Sequence, residues 1–102
     1  MNKYYISGKV TGDKDFRKKF QEAEEWLVKH KHKVVNPVKD EADGKEWQYY
    51  LKKDLQKLLS CTAIILLNDW EESRGARLEK FVAEELGYEV YYFDELKGII
   101  EK

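Results

Sequence analysis

The chain has 102 residues, enough for one compact domain over 1–102 and too few for a second. Nineteen basic residues nearly cancel 20 acidic ones, for a net charge of −1, so no global charge points to nucleic acid or to a membrane surface. One cysteine rules out an intrachain disulfide and fits a reducing, cytoplasmic setting.

Lys3 to Ser7 is aromatic and β-branched and stops at Gly8, as a strand ending in a turn does. The residues Met1 to Tyr5 lack the apolar stretch of a signal peptide, and the longest purely apolar run, Ala63 to Leu67, is too short to span a bilayer. Gly8-Lys9-Val10-Thr11-Gly12 is a loop with two glycines, a lysine and a threonine. Loops of this kind after a first strand often hold phosphate, although the spacing matches neither the Walker nor the dinucleotide pattern, and a plain connector has the same composition. Asp13 or Asp15 is placed to cap a helix whose apolar face carries Phe16, Phe20, Ala23 and Leu27, with Trp26 at its edge. The basic run Lys29 to Lys33 reads as a solvated helix end. His30 and His32 lack metal-ligand spacing, and no metal or other cofactor is expected.

A short strand over Lys33 to Asn36 is closed by Pro37, and Asp40 to Lys45 is a polar, mobile loop. The next helix runs from about Lys45 to Ser60. Asp54 falls among Trp47, Tyr50, Leu51 and Leu58 on its apolar side, either as a site carboxylate or as a boundary residue beside Lys53 and Lys57. Cys61 is a small buried filler. Thr62 to Leu67 is a continuous apolar strand, the pattern of a parallel sheet covered on both faces. The loop Asn68 to Glu72 carries Trp70, which either stacks on a flat ligand or closes the core rim.

Ser73 is suited to cap a helix that runs to about Leu86. On it Gly75, Ala76, Val82, Ala83 and Leu86 share one face, and Glu79 sits in the middle of that small, apolar stripe. A carboxylate there is costly to bury unless something needs it. The other reading places Glu79 at the stripe's edge, facing water beside Lys80. Glu89 to Phe93 is a last strand, and Asp94 to Lys102 a tail with weak helical character. The order β-α-β-α-β-α-β predicts an α/β fold: a four-stranded parallel sheet with helices on both faces, a three-layer, Rossmann-like arrangement. In such sheets ligands bind at the carboxyl ends of the strands. The glycine loop, Trp70, Ser73 and Glu79 all belong to that edge.

The segments Tyr5 to Gly12, Asp54-Leu55 and Ser73-x-Gly75-x-x-x-Glu79 resemble the nucleoside 2-deoxyribosyltransferase superfamily, more closely its small branch of 2′-deoxynucleoside 5′-phosphate N-hydrolases. Asn36-Pro37 and Trp70-Glu71-x-Ser73-x-Gly75-Ala76 are also similar to short phage proteins of unassigned function in that superfamily. The resemblance spans about Tyr4 to Tyr92. It implies Glu79 as nucleophile, Asp54 as the acid near sugar and base, Tyr5 as an active-site hydroxyl and Ser73 as a contact to a 5′-phosphate. Gly8, Lys9, Thr11, Gly12, Trp70 and Gly75 complete the expected substrate-binding set. The implied partners are a nucleotide or nucleoside and further copies of the chain, as a homodimer or higher oligomer. Thr62 stands where the family carries an acid, and residues 91–102 hold no clear counterpart of the serine that a neighbouring subunit contributes. The expected reaction is cleavage or transfer of the N-glycosidic bond of a 2′-deoxynucleoside 5′-monophosphate; the alternative is a nucleotide-binding or nucleotide-sequestering protein without chemistry. A nucleophile there needs donors such as a tyrosine hydroxyl to offset its burial.

Overall fold

A computed structural model describes residues 2–101. The strands are β1 (Lys3–Ser7), β2 (Lys33–Val35), β3 (Ala63–Leu66) and β4 (Glu89–Tyr92). The helices are α1 (Phe16–Lys29), α2 (Trp47–Leu59), α3 (Arg74–Glu85) and α4 (Phe93–Ile100), with a 3₁₀ turn at Trp70–Glu72. The strands form one parallel sheet in the order β2-β1-β3-β4. The expected doubly covered α/β architecture is the one observed.

Side-chain alternation along β1 divides the interior. Tyr4 and Ile6 face α1 with Phe20, Ala23 and Leu27, and join Ala63 and Ile65 from β3 in one core. Tyr5 faces the other way, toward α2 and α3, where Leu58, Ile64, Leu66 and Ala83 form the second core. β3 is buried along its whole length, which explains its unbroken apolar run.

The chain leaves β1 through α1 toward β2 on one side and leaves β3 through α3 toward β4 on the other. The strand order therefore reverses between β1 and β3. Loops diverging at their carboxyl ends open a crevice. Gly8 permits the close approach of these two strand ends: a Cβ on it would lie 2.9 Å from the Leu67 side chain.

Four local features differ from the sequence reading. The segment after β4 is a full helix, because Phe93 and Leu96 pack, partly buried, against the α1-side core. Asn36 lies outside β2, and α2 begins at Trp47. Asp15 occupies the cap position of α1 without a side-chain bond; Asp13 instead accepts from the Asp15 amide at 2.9 Å and pairs with Lys19. Cys61 is buried as expected, with its Sγ against the Lys57 carbonyl. Among the described residues no helix is long and apolar enough to cross a membrane, and no group of acidic, histidine and cysteine side chains is arranged to hold a metal ion.

Candidate functional site

The crevice is a cavity of about 580 Å³, within the range of small-molecule sites. Its floor is built from β1 and α3. Residues two apart on a strand face the same side, so Tyr5 and Ser7 both point toward α3. Glu79, one turn into that helix, meets them. The Tyr5 hydroxyl donates to Glu79 Oε2 at 2.7 Å and the Ser7 hydroxyl donates to Oε1 at 2.6 Å. Glu79 is 6% exposed, which removes the reading that it faces water at the edge of the stripe.

Burial pushes the Glu79 carboxyl up to about 7, against the pull of the Ser7 and Tyr5 hydrogen bonds; the charge of Glu41 adds to the rise. The Tyr5 phenol is held well above its ordinary value, first by burial and then by the negative charges of Glu79 and Asp54, so it stays a donor. Asp54 projects from α2 into the same cavity. Burial first, then the neighbouring Glu41 carboxyl and the charges of Glu79 and Glu41, raise its carboxyl to about 9, with Lys57 opposing. Both carboxyls are raised, Asp54 further than Glu79, so Asp54 keeps its proton to the higher pH. Two carboxyls whose affinities for a proton are pushed apart are suited to nucleophile and acid.

The other end of the cavity suits an anion. Ser73 caps α3, its Oγ accepting from the Ala76 amide at 3.1 Å. Ser73, Arg74 and Gly75 line the wall there, where the helix N-terminus is electropositive. At Gly75 a Cβ would find only Ser73 Oγ, at 3.9 Å, so the glycine leaves open space. The Arg74 guanidinium lies 4.1 Å from the centre of the Trp47 ring. Lys9 and Thr11 also line the cavity. The Lys9 ammonium reaches Glu72 at 3.2 Å, and its amide donates to Asp69 Oδ1 at 3.0 Å. Lys19 clamps this rim from below, donating to the Lys9 carbonyl, to Asp13 and to Asp69.

The cavity thus gathers Tyr5, Asp54 and Glu79 with Gly8, Lys9, Thr11, Ser73 and Gly75. It does not include Gly12 or Trp70. Gly12 takes a left-handed φ of 82° and makes the turn beyond the rim. Trp70 packs on the second core, 6.1 Å from the Tyr92 ring and under the Lys80 ammonium, and so offers no stacking surface to the cavity. Thr62 stands at the amino end of β3, accepting from the Lys3 amide at 2.8 Å, on the sheet edge opposite the cavity.

Ser7, Arg17, Glu41, Trp47 and Arg74 line the site without having been singled out for it by sequence. Ser7 follows Tyr5 by two, and strand alternation could have found it. Glu41 lies in a loop with no periodicity to read. Arg17 comes from the first turn of α1, donating to the Val38 carbonyl and to Asp43.

The profile of a family described as a domain of unknown function (DUF4406) matches residues 2–92. No curated protein matches the chain.

Proposed function

We propose that this chain, which belongs to the DUF4406 family, cleaves the N-glycosidic bond of a 2′-deoxynucleoside 5′-monophosphate. The observation that carries the reading is the buried Glu79 carboxyl, held by two hydroxyls. Hydroxyl donors orient a carboxylate without cancelling its charge, which stays available to a carbon that becomes cationic.

Deoxyribose C1′ is such a carbon, since departure of the base gives it oxocarbenium character. The C1′–N bond breaks with its electron pair on the base, and the Asp54 proton passes to a base nitrogen. A Glu79 oxygen bonds to C1′. Water then attacks C1′, Glu79 leaves as a carboxylate, and the proton of water returns to Asp54. Ser73, Arg74 and the start of α3 support the 5′-phosphate. Phe16, Phe20, Trp47 and Tyr50 supply aromatic walls for sugar and base. The 2′-deoxy preference rests on the resemblance to the deoxyribosyltransferase superfamily. The reading also carries a cytoplasmic setting and a homodimer or higher oligomer; sedimentation at working concentration tests the latter, and a strictly monomeric species contradicts it.

The test is chromatographic. Wild type and Glu79→Ala are incubated with a panel of deoxynucleoside monophosphates and nucleosides. Free base from wild type alone supports the reading and names the substrate. No release, together with a thermal shift from one nucleotide, overturns the enzyme in favour of a binding protein. A ligand at a hundred times its Kd adds about 2.7 kcal/mol, well within reach of such a screen.

A further inference from the structure

Glu41 sits in the loop after β2, and its side chain is 9% exposed. Its Oε1 and the Oδ1 of Asp54 are both buried without a hydrogen-bond donor. Both residues line the cavity. Ionised carboxylates only accept, so two of them facing one cavity repel each other and leave both buried oxygens orphaned. A single proton between the carboxyls cures both faults at once. The Lys57 ammonium stands 3.8 Å from Glu41 Oε1 and donates to the Pro37 carbonyl at 2.7 Å, which places positive charge on the Glu41 side of the pair. The charged or titratable groups acting on Asp54 from the surrounding elements are Glu41 from the loop, Lys57 from α2 and Glu79 from α3, with the Tyr5 phenol of β1 sensing its charge.

We propose that Glu41 and Asp54 share one proton as a dyad, in which Glu41 is a positioning residue that keeps Asp54 protonated for delivery to the departing base. The inference deepens the N-glycosidase reading and rests on it for the role of the proton, whereas the shared proton itself belongs to the resting protein. In the reaction the Asp54 proton moves to the base nitrogen as that nitrogen takes the C1′–N electron pair. The negative charge then left on the dyad is offset by Lys57. The proton returns from the attacking water.

The dyad is read without substrate by infrared-monitored pH titration of wild type, Asp54→Asn and Glu41→Gln. In wild type the carbonyl stretch of a protonated carboxyl persists past pH 8 and is lost with a midpoint near 9. Asp54→Asn removes that transition. Glu41→Gln moves its midpoint down by a pH unit or more, because the acidic neighbour is gone. If Glu41→Gln does not fold, Lys57→Met replaces it and moves the midpoint up. A carboxyl band lost entirely below pH 7 in wild type, or a midpoint indifferent to the substitution made, overturns the dyad. Base release from the nucleotide panel is scored separately, so a silent assay with an intact dyad overturns the N-glycosidase reading alone. Where the enzyme turns over, Glu41→Gln lowers kcat for a deoxynucleotide about tenfold at pH 10, above both midpoints, where the protonated fraction falls about tenfold per unit of midpoint shift. It changes the rate by less than about twofold for the O-linked 4-nitrophenyl 2-deoxyribofuranoside 5-phosphate, which leaves as 4-nitrophenolate and needs no proton. Equal losses on both substrates mean a merely structural role and overturn the proposal.

Discussion

Glu79 and Asp54 both hold their protons more tightly than a free carboxyl, and the sign of that shift fixes two outcomes. A carboxyl raised in the folded state binds protons that the unfolded chain has released, so the stability it lends is complete below about pH 4 and is lost as pH rises. For Glu79 the loss is complete past about 7, and for Asp54 past about 9. Thermal melting should therefore fall between pH 5 and 9, at up to about 1.4 kcal/mol per pH unit for each group, and Asp54→Asn should flatten the upper part of the curve. Turnover follows the opposite logic at its acid limb: kcat/KM should rise as Glu79 ionises near 7 and fall as Asp54 loses its proton near 9. Tyr5→Phe removes one of the two donors to Glu79, so its acid limb should move upward and its rate near pH 7 drop about tenfold. A pH profile of both proteins checks this. At this scale the sequence reading reached the floor of the cavity because helix spacing exposes a misplaced acid. It missed Glu41 because a loop has no period, and it left Trp70 open between ligand and core rim because an aromatic ring at a sheet edge reads alike in both places.

α3 is where helix physics and the cavity meet. Ser73→Ala removes the bond to the Ala76 amide and should cost about 1 kcal/mol in denaturant unfolding. Gly75→Ala separates folding from binding. The added methyl meets nothing closer than 3.9 Å and should raise stability by roughly 0.5–1 kcal/mol through helix propensity. It also occupies space at the anion end of the cavity, so calorimetry should show at least a tenfold weaker nucleotide. A Gly75→Ala protein that binds as well as wild type would remove the phosphate from the start of α3. The helices α1, α2 and α3 were legible from their apolar stripes. α4 was legible only as a tail with weak helical character, since its short amphipathic pattern needs the α1-side core already in place to declare which residues bury.

The whole molecule makes the cavity through strand order. Alternating strands and helices in the sequence predict a parallel sheet, and its reversal between β1 and β3 puts the crevice where Tyr5, Ser7 and the α3 N-terminus converge. Register is what sequence could not supply: Tyr5 pairs with Ile64 and Val35, which fixes how deep the phenol sits. Gly8 is the tightest point of that geometry. Gly8→Ala should force the Leu67 side chain aside and cost 1–3 kcal/mol, about the usual penalty for overpacking, as read by melting. The central claim, that Glu79 forms a covalent bond to C1′, is tested most directly by the stereochemistry of methanolysis. With methanol present as an acceptor, the deoxyribose 5-phosphate methyl glycoside is isolated and its anomeric configuration read by proton NMR. Two displacements through Glu79 predict that the β configuration is retained. An inverted α-glycoside would mean direct attack by solvent, and would contradict the account.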